Sequence, residues 1–270
     1  ALFLFFTLIL LSHLQTKVLI MQVTPHMLLI VCPLVFLAGF VDSIGGGGGL
    51  ISLPAYLFAG VPPHTALATN KLSSSIGTTV SATRLFRYMD LPLAGACVVC
   101  SILGSWGGSS LALLASEELV RFMLLPVLPV VAYYVLRKKD LNATEKEPLS
   151  RRNTFLVSMP ASMLIGLYDG FYGPGTGTFL ILVYTGLSRL DLLTASANTK
   201  AVNLASNLGA LTVFLLNGKV CLPLGLPAAA CCVAGHFIGS GMVVKNGSRI
   251  VRPIILLVLA ILFIKILLGL

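Results

Sequence analysis

Long apolar runs dominate the chain, and glycine, proline and short charged stretches interrupt them. A run of about 20 apolar residues is long enough to cross the hydrocarbon core of a bilayer as a helix. Glycine and proline mark the positions where such helices end. The pattern predicts membrane-spanning helices near residues 27–45, 65–85, 91–116, 118–136, 154–171, 194–216, 222–244 and 251–269.

Three further apolar segments differ from these runs. Residues 49–60 and 176–188 follow glycine-rich sequence and are too short for a comfortable span. Residues 1–22 are either an extra span or a leader, and they have neither a basic start nor an obvious small-residue cleavage site. The chain is thus expected to have about 8–10 membrane segments plus this N-terminal one.

The composition makes a membrane protein the only consistent class. Hydrophobic residues make up 57% of the 270 residues and charged residues only 10%. A soluble domain carries about 25% charged residues, and a disordered chain has low hydrophobicity and high charge, so both classes are excluded. We therefore predict an all-α polytopic membrane protein that contacts the lipid bilayer.

The net charge of +9 fits the same class. The basic residues cluster in short loops, and the densest cluster is the polar linker 137–153. Lysine and arginine in short loops are typical of the cytoplasmic side of a membrane. We predict a multi-pass protein of the cell membrane with this linker in the cytoplasm, and we expect no nucleic-acid partner.

The second half of the chain repeats motifs of the first half in the same order. The matched pairs are residues 40–49 (FVDSIGGGGG) with 167–177 (LYDGFYGPGTG), 65–71 (TALATNK) with 194–200 (TASANTK), and 104–108 (GSWGG) with 235–239 (GHFIG). Ordered matches that include Asp, Asn and Lys indicate an internal repeat.

The repeat divides the chain into two similar halves. We assign residues 23–136 to the first transporter repeat, 137–153 to the linker and 154–270 to the second repeat. The charge distribution fits five membrane crossings in each repeat, and an odd number gives the halves inverted topologies. Inverted repeats with broken helices are an architecture of secondary transporters.

The glycine-rich breaks are the first candidate binding elements. Five consecutive glycines, or a Gly-Pro-Gly sequence, cannot continue a stable helix. Irregular backbone at membrane depth occurs only where protein buries it or a cavity is present, and the next half-helix presents N–H groups that bind anions. The candidate anion-binding residues at the breaks are Gly46, Gly47, Gly48, Gly175, Thr176 and Gly177.

Four charged residues lie inside the apolar pattern: Lys71, Lys200, Asp42 and Asp169. Each charge at mid-bilayer costs about 2.5–3.5 kcal/mol, so each needs a partner. One interpretation is two structural ion pairs, Asp42 with Lys71 and Asp169 with Lys200. The other is that the lysines bind an anion and an aspartate couples transport to a proton.

Uncharged polar residues accompany both lysines at helical spacing. Such stripes either join helices or line a cavity in which they donate hydrogen bonds to an oxyanion. The candidates are Asn70 and Ser74, with Thr78 on the same stripe, and Thr199, Asn203 and Asn207 in the second half.

Other chemistries find little support in the sequence. No Gly-Lys-Ser/Thr follows the glycine runs, which argues against nucleotide binding. No cluster has metal-ligand spacing and no nucleophile-base arrangement can be argued, so we predict no metal, no cofactor and no enzyme activity. We interpret His64, His236 and the small-residue motifs 104–108 and 235–239 as structural, the motifs as sites of close helix packing.

These motifs are similar to those of the sulfite exporter TauE/SafE family of anion transporters. The resemblance covers residues 27–270, and residues 1–22 lie outside it. It is carried by residues 42–49 (DSIGGGGG), 62–71 (PPHTALATNK), 168–177 (YDGFYGPGTG), 198–207 (NTKAVNLASN) and 217–220 (NGKV).

The resemblance implies transport of small sulfur-containing anions, such as sulfite, a sulfonate or sulfoacetate, usually as export. We expect alternating access around an anion site near the membrane midplane. A passive anion channel, a transporter of another small organic anion, and a membrane scaffold or sensor stay open as alternatives. The sequence also leaves open a homo-oligomer, the coupling ion and the identity of the anion.

Overall fold

The computed structural model describes residues 22–116, 147, 149–246, 249–251 and 253–254. Its helices, in chain order, are α1 (Pro25–Gly45), α2 (Gly49–Phe58), α3 (Pro63–Leu85), α4 (Leu91–Leu114), α5 (Arg151–Phe171), α6 (Thr176–Gly186), α7 (Leu192–Leu216) and α8 (Leu222–Asn246), and a 3-10 turn (Phe86–Tyr88) joins α3 to α4. The predicted segment 1–22 apart from its last residue, span 118–136, and most of linker 137–153 and span 251–269 lie outside the described residues.

The described helices agree with the all-α prediction and lie within a few residues of the predicted spans. Five of them, α1, α4, α5, α7 and α8, are long and apolar enough to cross a membrane. Helix α3 has the same length, but its polar residues make it less hydrophobic. Helices α2 and α6 have 10 and 11 residues, which is the short length that the sequence predicts for them.

Polar residues fix where several helices begin. The side chains of Thr24, Asp90, Ser150 and Asp191 each accept a backbone N–H from the first turn of the following helix. Such N-caps satisfy donors that have no partner within the helix. Because Ser150 provides the cap, α5 begins at Arg151, three residues before the predicted start.

Close packing between glycine-containing faces joins the two halves of the chain. Helix α4 packs on α5, and α8 packs on α1. A Cβ atom placed on Gly166 would lie 2.6 Å from the carbonyl oxygen of Ser101, and one on Gly39 would lie 2.6 Å from that of Cys232. Gly104, Gly108, Gly235 and Gly239 contact the facing backbone in the same way, which confirms that they are packing residues.

The contacts also give the directions of the helices. Gly104 faces Met163 and Gly108 faces Leu167, so α4 and α5 run parallel. By the same argument, α8 runs parallel to α1, with Gly235 facing Phe36.

Helices α3 and α7 run antiparallel at the centre of the molecule. Lys71, early in α3, contacts Asn207 in the second half of α7, whereas Asp90, just after α3, contacts Asn198 near the start of α7. Most residues of both helices are buried. The outer helices expose leucine and other apolar side chains, as expected for a surface in contact with lipid. The polar stripes of α3 and α7 are therefore enclosed by apolar helices.

Candidate functional site

The two glycine-rich breaks meet each other inside the protein. The Thr178 N–H donates to the carbonyl oxygen of Gly46 (3.1 Å), and the Thr178 hydroxyl donates to that of Gly45 (2.7 Å). Gly46 has a φ of +79°, and a Cβ there would overlap the backbone of Gly177. Only glycine combines this backbone conformation with so close an approach. The breaks therefore bring the N-termini of α2 and α6 to one place.

Each break is held by the aspartate that precedes it. Asp42 Oδ1 accepts the N–H of Gly48 at 3.0 Å, just before α2 begins. Asp169 Oδ1 accepts the hydroxyl of Thr176, the first residue of α6, at 2.8 Å. Tyr168 donates to the carbonyl oxygen of Pro174 at 2.7 Å and fixes the second break from its other side.

Lys71 is a buried residue of α3, and its side chain contacts residues of α5 and α7. Its Nζ atom is 2.7 Å from Asp169 Oδ2 and donates to Asn207 Oδ1 at 3.1 Å. Asp169 Oδ2 also accepts the hydroxyl of Ser206 at 2.5 Å. The Asp169 carboxylate thus has a cation and two hydroxyls as partners, which is the environment that a buried charge requires.

The interpretation of two ion pairs within the halves is wrong. Lys71, from the first half, pairs with Asp169 from the second, and Lys200 Nζ donates to the backbone carbonyl oxygen of Asp42. No carboxylate oxygen of the described residues lies within salt-bridge distance of Lys200. Each lysine binds a residue of the other half because the two breaks contact each other. This contact places each lysine beside the break of the other half.

A small polar cavity of about 20 Å3 lies between the breaks and the polar faces of α3 and α7. This volume accommodates about one water molecule. Eleven of the predicted site residues line it together with Gly49 and Gly173: Asp42, Gly46, Asn70, Lys71, Ser74, Asp169, Gly175, Thr176, Gly177, Asn203 and Asn207. We call this cavity the central cavity.

Four predicted residues lie near the central cavity without lining it. Gly47 and Gly48 are buried in the first break, and Gly48 lines a neighbouring cavity. Lys200 and Thr199 are buried in α7. Two buried polar atoms close to the site, Asn70 Oδ1 and Thr199 Oγ1, have no hydrogen-bond partner among the described residues.

The sequence interpretation missed four residues of the site. Gly49 and Gly173 line the central cavity, and Ser206 holds Asp169. Ser206 directly precedes Asn207 of the polar stripe on α7, and this position in the sequence could have indicated that it belongs to the site. His236, interpreted as structural, places Nε2 3.7 Å from Asp42 Oδ2, and nothing in the sequence relates these two residues.

The arrangement has the properties of an anion site. Two helix N-termini meet at the central cavity, and helix N-termini favour negative charge. Lysine, asparagine, serine and threonine side chains supply hydrogen-bond donors around it.

Comparison with known proteins identifies the family of the chain. The family model "Sulfite exporter TauE/SafE" matches residues 31–266. The probable membrane transporter protein ORF9 of Sinorhizobium sp is 34% identical over 244 residues, which are 90% of this chain and 93% of that protein. No solved structure matches the chain.

Two further relatives carry the same general name. The probable membrane transporter protein YfcA of Escherichia coli strain K12 is 34% identical over 250 residues, covering 91% of each chain. A probable membrane transporter protein of Haemophilus influenzae is 33% identical over 225 residues, covering 82% of this chain and 87% of its own. The chain is a multi-pass membrane protein and belongs to the sulfite exporter TauE/SafE family of membrane transporters.

Proposed function

We propose that the chain is a secondary transporter that exports small sulfur-containing anions such as sulfite, a sulfonate or sulfoacetate. The anion binds in the central cavity, and the two halves move to open this cavity alternately to each side of the cell membrane. The linker 137–153 lies on the cytoplasmic side. The observation that carries the proposal is the meeting of two helix breaks, from opposite halves of the chain, at one buried polar cavity.

The side chains around the central cavity suit a small oxyanion. The N-termini of α2 and α6 contribute partial positive charge, and Lys71 contributes a full one. The side chains of Asn70, Asn203 and Asn207 line the same cavity, and each amide group has an NH2 that can donate hydrogen bonds. An anion with several oxygen atoms accepts hydrogen bonds from all of these elements at once.

The helix directions support an inverted repeat. Helices α1, α3 and α8 run one way, because α8 is parallel to α1 and, through its contacts at Thr69 and Ser81, to α3. Helices α4, α5 and α7 run the other way. The sequence repeat pairs α1 with α5 and α3 with α7, so the members of each pair point in opposite directions. Such halves exchange conformations during alternating access.

The size of the central cavity favours a transporter over an open channel. About 20 Å3 is space for about one water molecule, which is less than a sulfur oxyanion occupies. In the proposed cycle, the helices or breaks therefore move when the anion binds. A transport cycle of this kind gives a flux that saturates as the anion concentration rises, whereas flux through a continuous pore need not saturate.

The test is uptake of labelled sulfite into proteoliposomes that contain the full chain. We expect saturable flux in the wild type and at least about a tenfold loss in Lys71→Met, because Lys71 lines the cavity. Lys245→Met, at an exposed position near the end of α8, is the matched control and should transport normally.

The outcomes separate the alternatives. Flux that does not saturate and never builds a concentration gradient indicates a channel. Flux of carboxylates without any flux of sulfite, methanesulfonate or sulfoacetate contradicts the proposed substrate class. If no anion crosses the membrane above the rate of empty liposomes, the transporter proposal is wrong and a scaffold or sensor remains.

A further inference from the structure

A second cavity lies against the central cavity, and Asp42 and Ser74 line both. This second cavity has about 10 Å3 and is also lined by His236, Cys232 and Gly48. His236 is almost completely buried, and its Nδ1 atom is 2.7 Å from the hydroxyl oxygen of Ser81. Its Nε2 atom points towards Asp42 Oδ2 across 3.7 Å. We call Asp42 and His236 the acid–imidazole pair.

The two equivalent aspartates have very different partners. Asp169 has the Lys71 ammonium and two hydroxyl groups within hydrogen-bond distance. The Asp42 carboxylate accepts the Gly48 N–H on Oδ1, and the only charged or chargeable group within 4.0 Å of Oδ2 in the described part of the chain is His236. A distance of 3.7 Å is too long for a hydrogen bond. Asp42 is therefore the carboxylate with room for a proton.

Binding of an anion changes the net charge of the buried groups around the site, and one more positive charge is needed to keep that net charge at zero. With both aspartates ionised, both lysines protonated and His236 neutral, the charges of Asp42, Asp169, Lys71 and Lys200 sum to zero. A bound monovalent anion would leave one uncompensated negative charge inside the protein. Buried unpaired charge is costly, so a proton bound together with the anion would restore neutrality.

Other charged groups decide where the proton resides. Burial disfavours a positive charge on His236. The Asp42 carboxylate on α1 attracts a proton, whereas Lys200 on α7, whose Nζ donates to the Asp42 carbonyl oxygen, repels one. Arg84 on α3 donates to the carbonyl oxygen of Phe237, the residue after His236, and adds a further positive charge nearby. On α8 itself, Cys232 lines the same cavity. These groups favour a proton shared with the carboxylate over an isolated imidazolium ion.

We propose that Asp42 and His236 form a proton-binding site that takes up one proton when the anion occupies the central cavity. The proton comes from water and bonds either to His236 Nε2 or to Asp42 Oδ2, and a hydrogen bond to the other atom closes the gap between them. Ser81 holds the ring through Nδ1. Because Asp42 lines both cavities, the proton raises the affinity for the anion, and the two are carried together.

This inference rests on the proposed anion site, and its test counts protons rather than flux. Sulfite is titrated into the purified full chain in weakly buffered detergent solution with a pH indicator. The wild type should take up about one more proton per bound sulfite than Asp42→Asn, because linkage makes uptake equal to the pH dependence of affinity. Comparing variants at one pH cancels the protonation of sulfite itself.

The same variants predict how affinity depends on pH. In the wild type the affinity for methanesulfonate, whose charge is constant, should fall by up to about tenfold per pH unit between the pKa of the pair in the free protein and its higher pKa in the anion-bound protein. Asp42→Asn removes the negative charge and should bind methanesulfonate with little pH dependence. His236→Gln keeps the Asp42 carboxylate, so its affinity should stay pH-dependent over a displaced pH range. His64→Gln changes a histidine that lines neither cavity, and it should behave like the wild type.

A further variant covers the case in which His236→Gln does not fold. Ser81→Ala keeps both members of the pair and removes only the Nδ1 partner, so uptake of about one proton should persist with a displaced pH range. Equal proton uptake in the wild type and Asp42→Asn would overturn the inference while leaving the anion site intact. Failure of the wild type to bind sulfite, methanesulfonate or sulfoacetate would overturn the proposed function and this inference with it.

Discussion

The ion pair between Lys71 and Asp169 joins the two halves of the chain, and its removal should be costly. In Asp169→Asn the buried Lys71 ammonium loses the one carboxylate within 4 Å among the described residues. Ser206 and Thr176 also lose a charged acceptor. All these groups are buried, so water does not replace what is lost.

The expected loss follows from these contacts. Removing one partner of a buried pair costs about 3–5 kcal/mol, because the remaining charge stays buried without compensation. Asp42→Asn is the matched comparison, since it removes the equivalent carboxylate without exposing a close cationic partner. The amide of Asn retains an oxygen for the Gly48 N–H, so we expect a loss of at most about 1.5 kcal/mol there.

The assay is equilibrium unfolding in mixed micelles, followed by far-UV circular dichroism. Lys71→Met with Asp169→Asn, as a double variant, should regain most of the stability that the single variant loses, since the Lys71 ammonium is then no longer buried without its carboxylate. A loss below about 1 kcal/mol in Asp169→Asn, or equal losses at Asp169 and Asp42, would refute the charge pairing described above.

Three further predictions concern packing, pH and the first helix break. Gly166→Ala should cost about 1–3 kcal/mol of unfolding free energy, because the new Cβ would lie 2.6 Å from a carbonyl oxygen, about 0.7 Å inside a normal contact. Arg151 holds the pKa of Asp90 below its ordinary value. The stability that this pair contributes is therefore present above about pH 4 and is lost as the pH falls through the lowered pKa. Asp90→Asn should flatten the dependence of the unfolding temperature on acid pH. Gly46→Ala should abolish sulfite flux and cost more than about 1 kcal/mol, because it strains the backbone and displaces Gly177.

Each of these predictions has a matched control. Gly95→Ala places a Cβ in open space, so it should not lower the unfolding free energy. The Asn of Asp90→Asn is itself a good N-cap, so the start of α4 is preserved. Gly60→Ala introduces the same backbone strain at φ +81° with no neighbour within 4 Å, and it should leave flux intact. Equal behaviour of Gly46→Ala and Gly60→Ala would show that contact between the breaks is unimportant.

The sequence by itself determined the class of protein and the positions of its helices. Apolar runs of about 20 residues leave few alternatives to membrane helices, since a bilayer requires that length. Glycine and proline at 45–49 and 173–175 fixed both breaks, because five consecutive glycines or a Gly-Pro-Gly sequence cannot continue a stable helix. The repeated Asp and Lys motifs pointed to most of the residues that line the central cavity.

Only the tertiary structure decided which groups meet. The sequence places Asp42 and Lys71 in one half, yet Lys71 pairs with Asp169 of the other, because the two breaks contact each other inside the protein. The contact of His236 with Asp42 depends on the packing of α8 against α1, which close approach at Gly235 and Gly239 permits. Periodicity along a chain specifies the face of a helix, whereas the partner of that face depends on how distant helices pack.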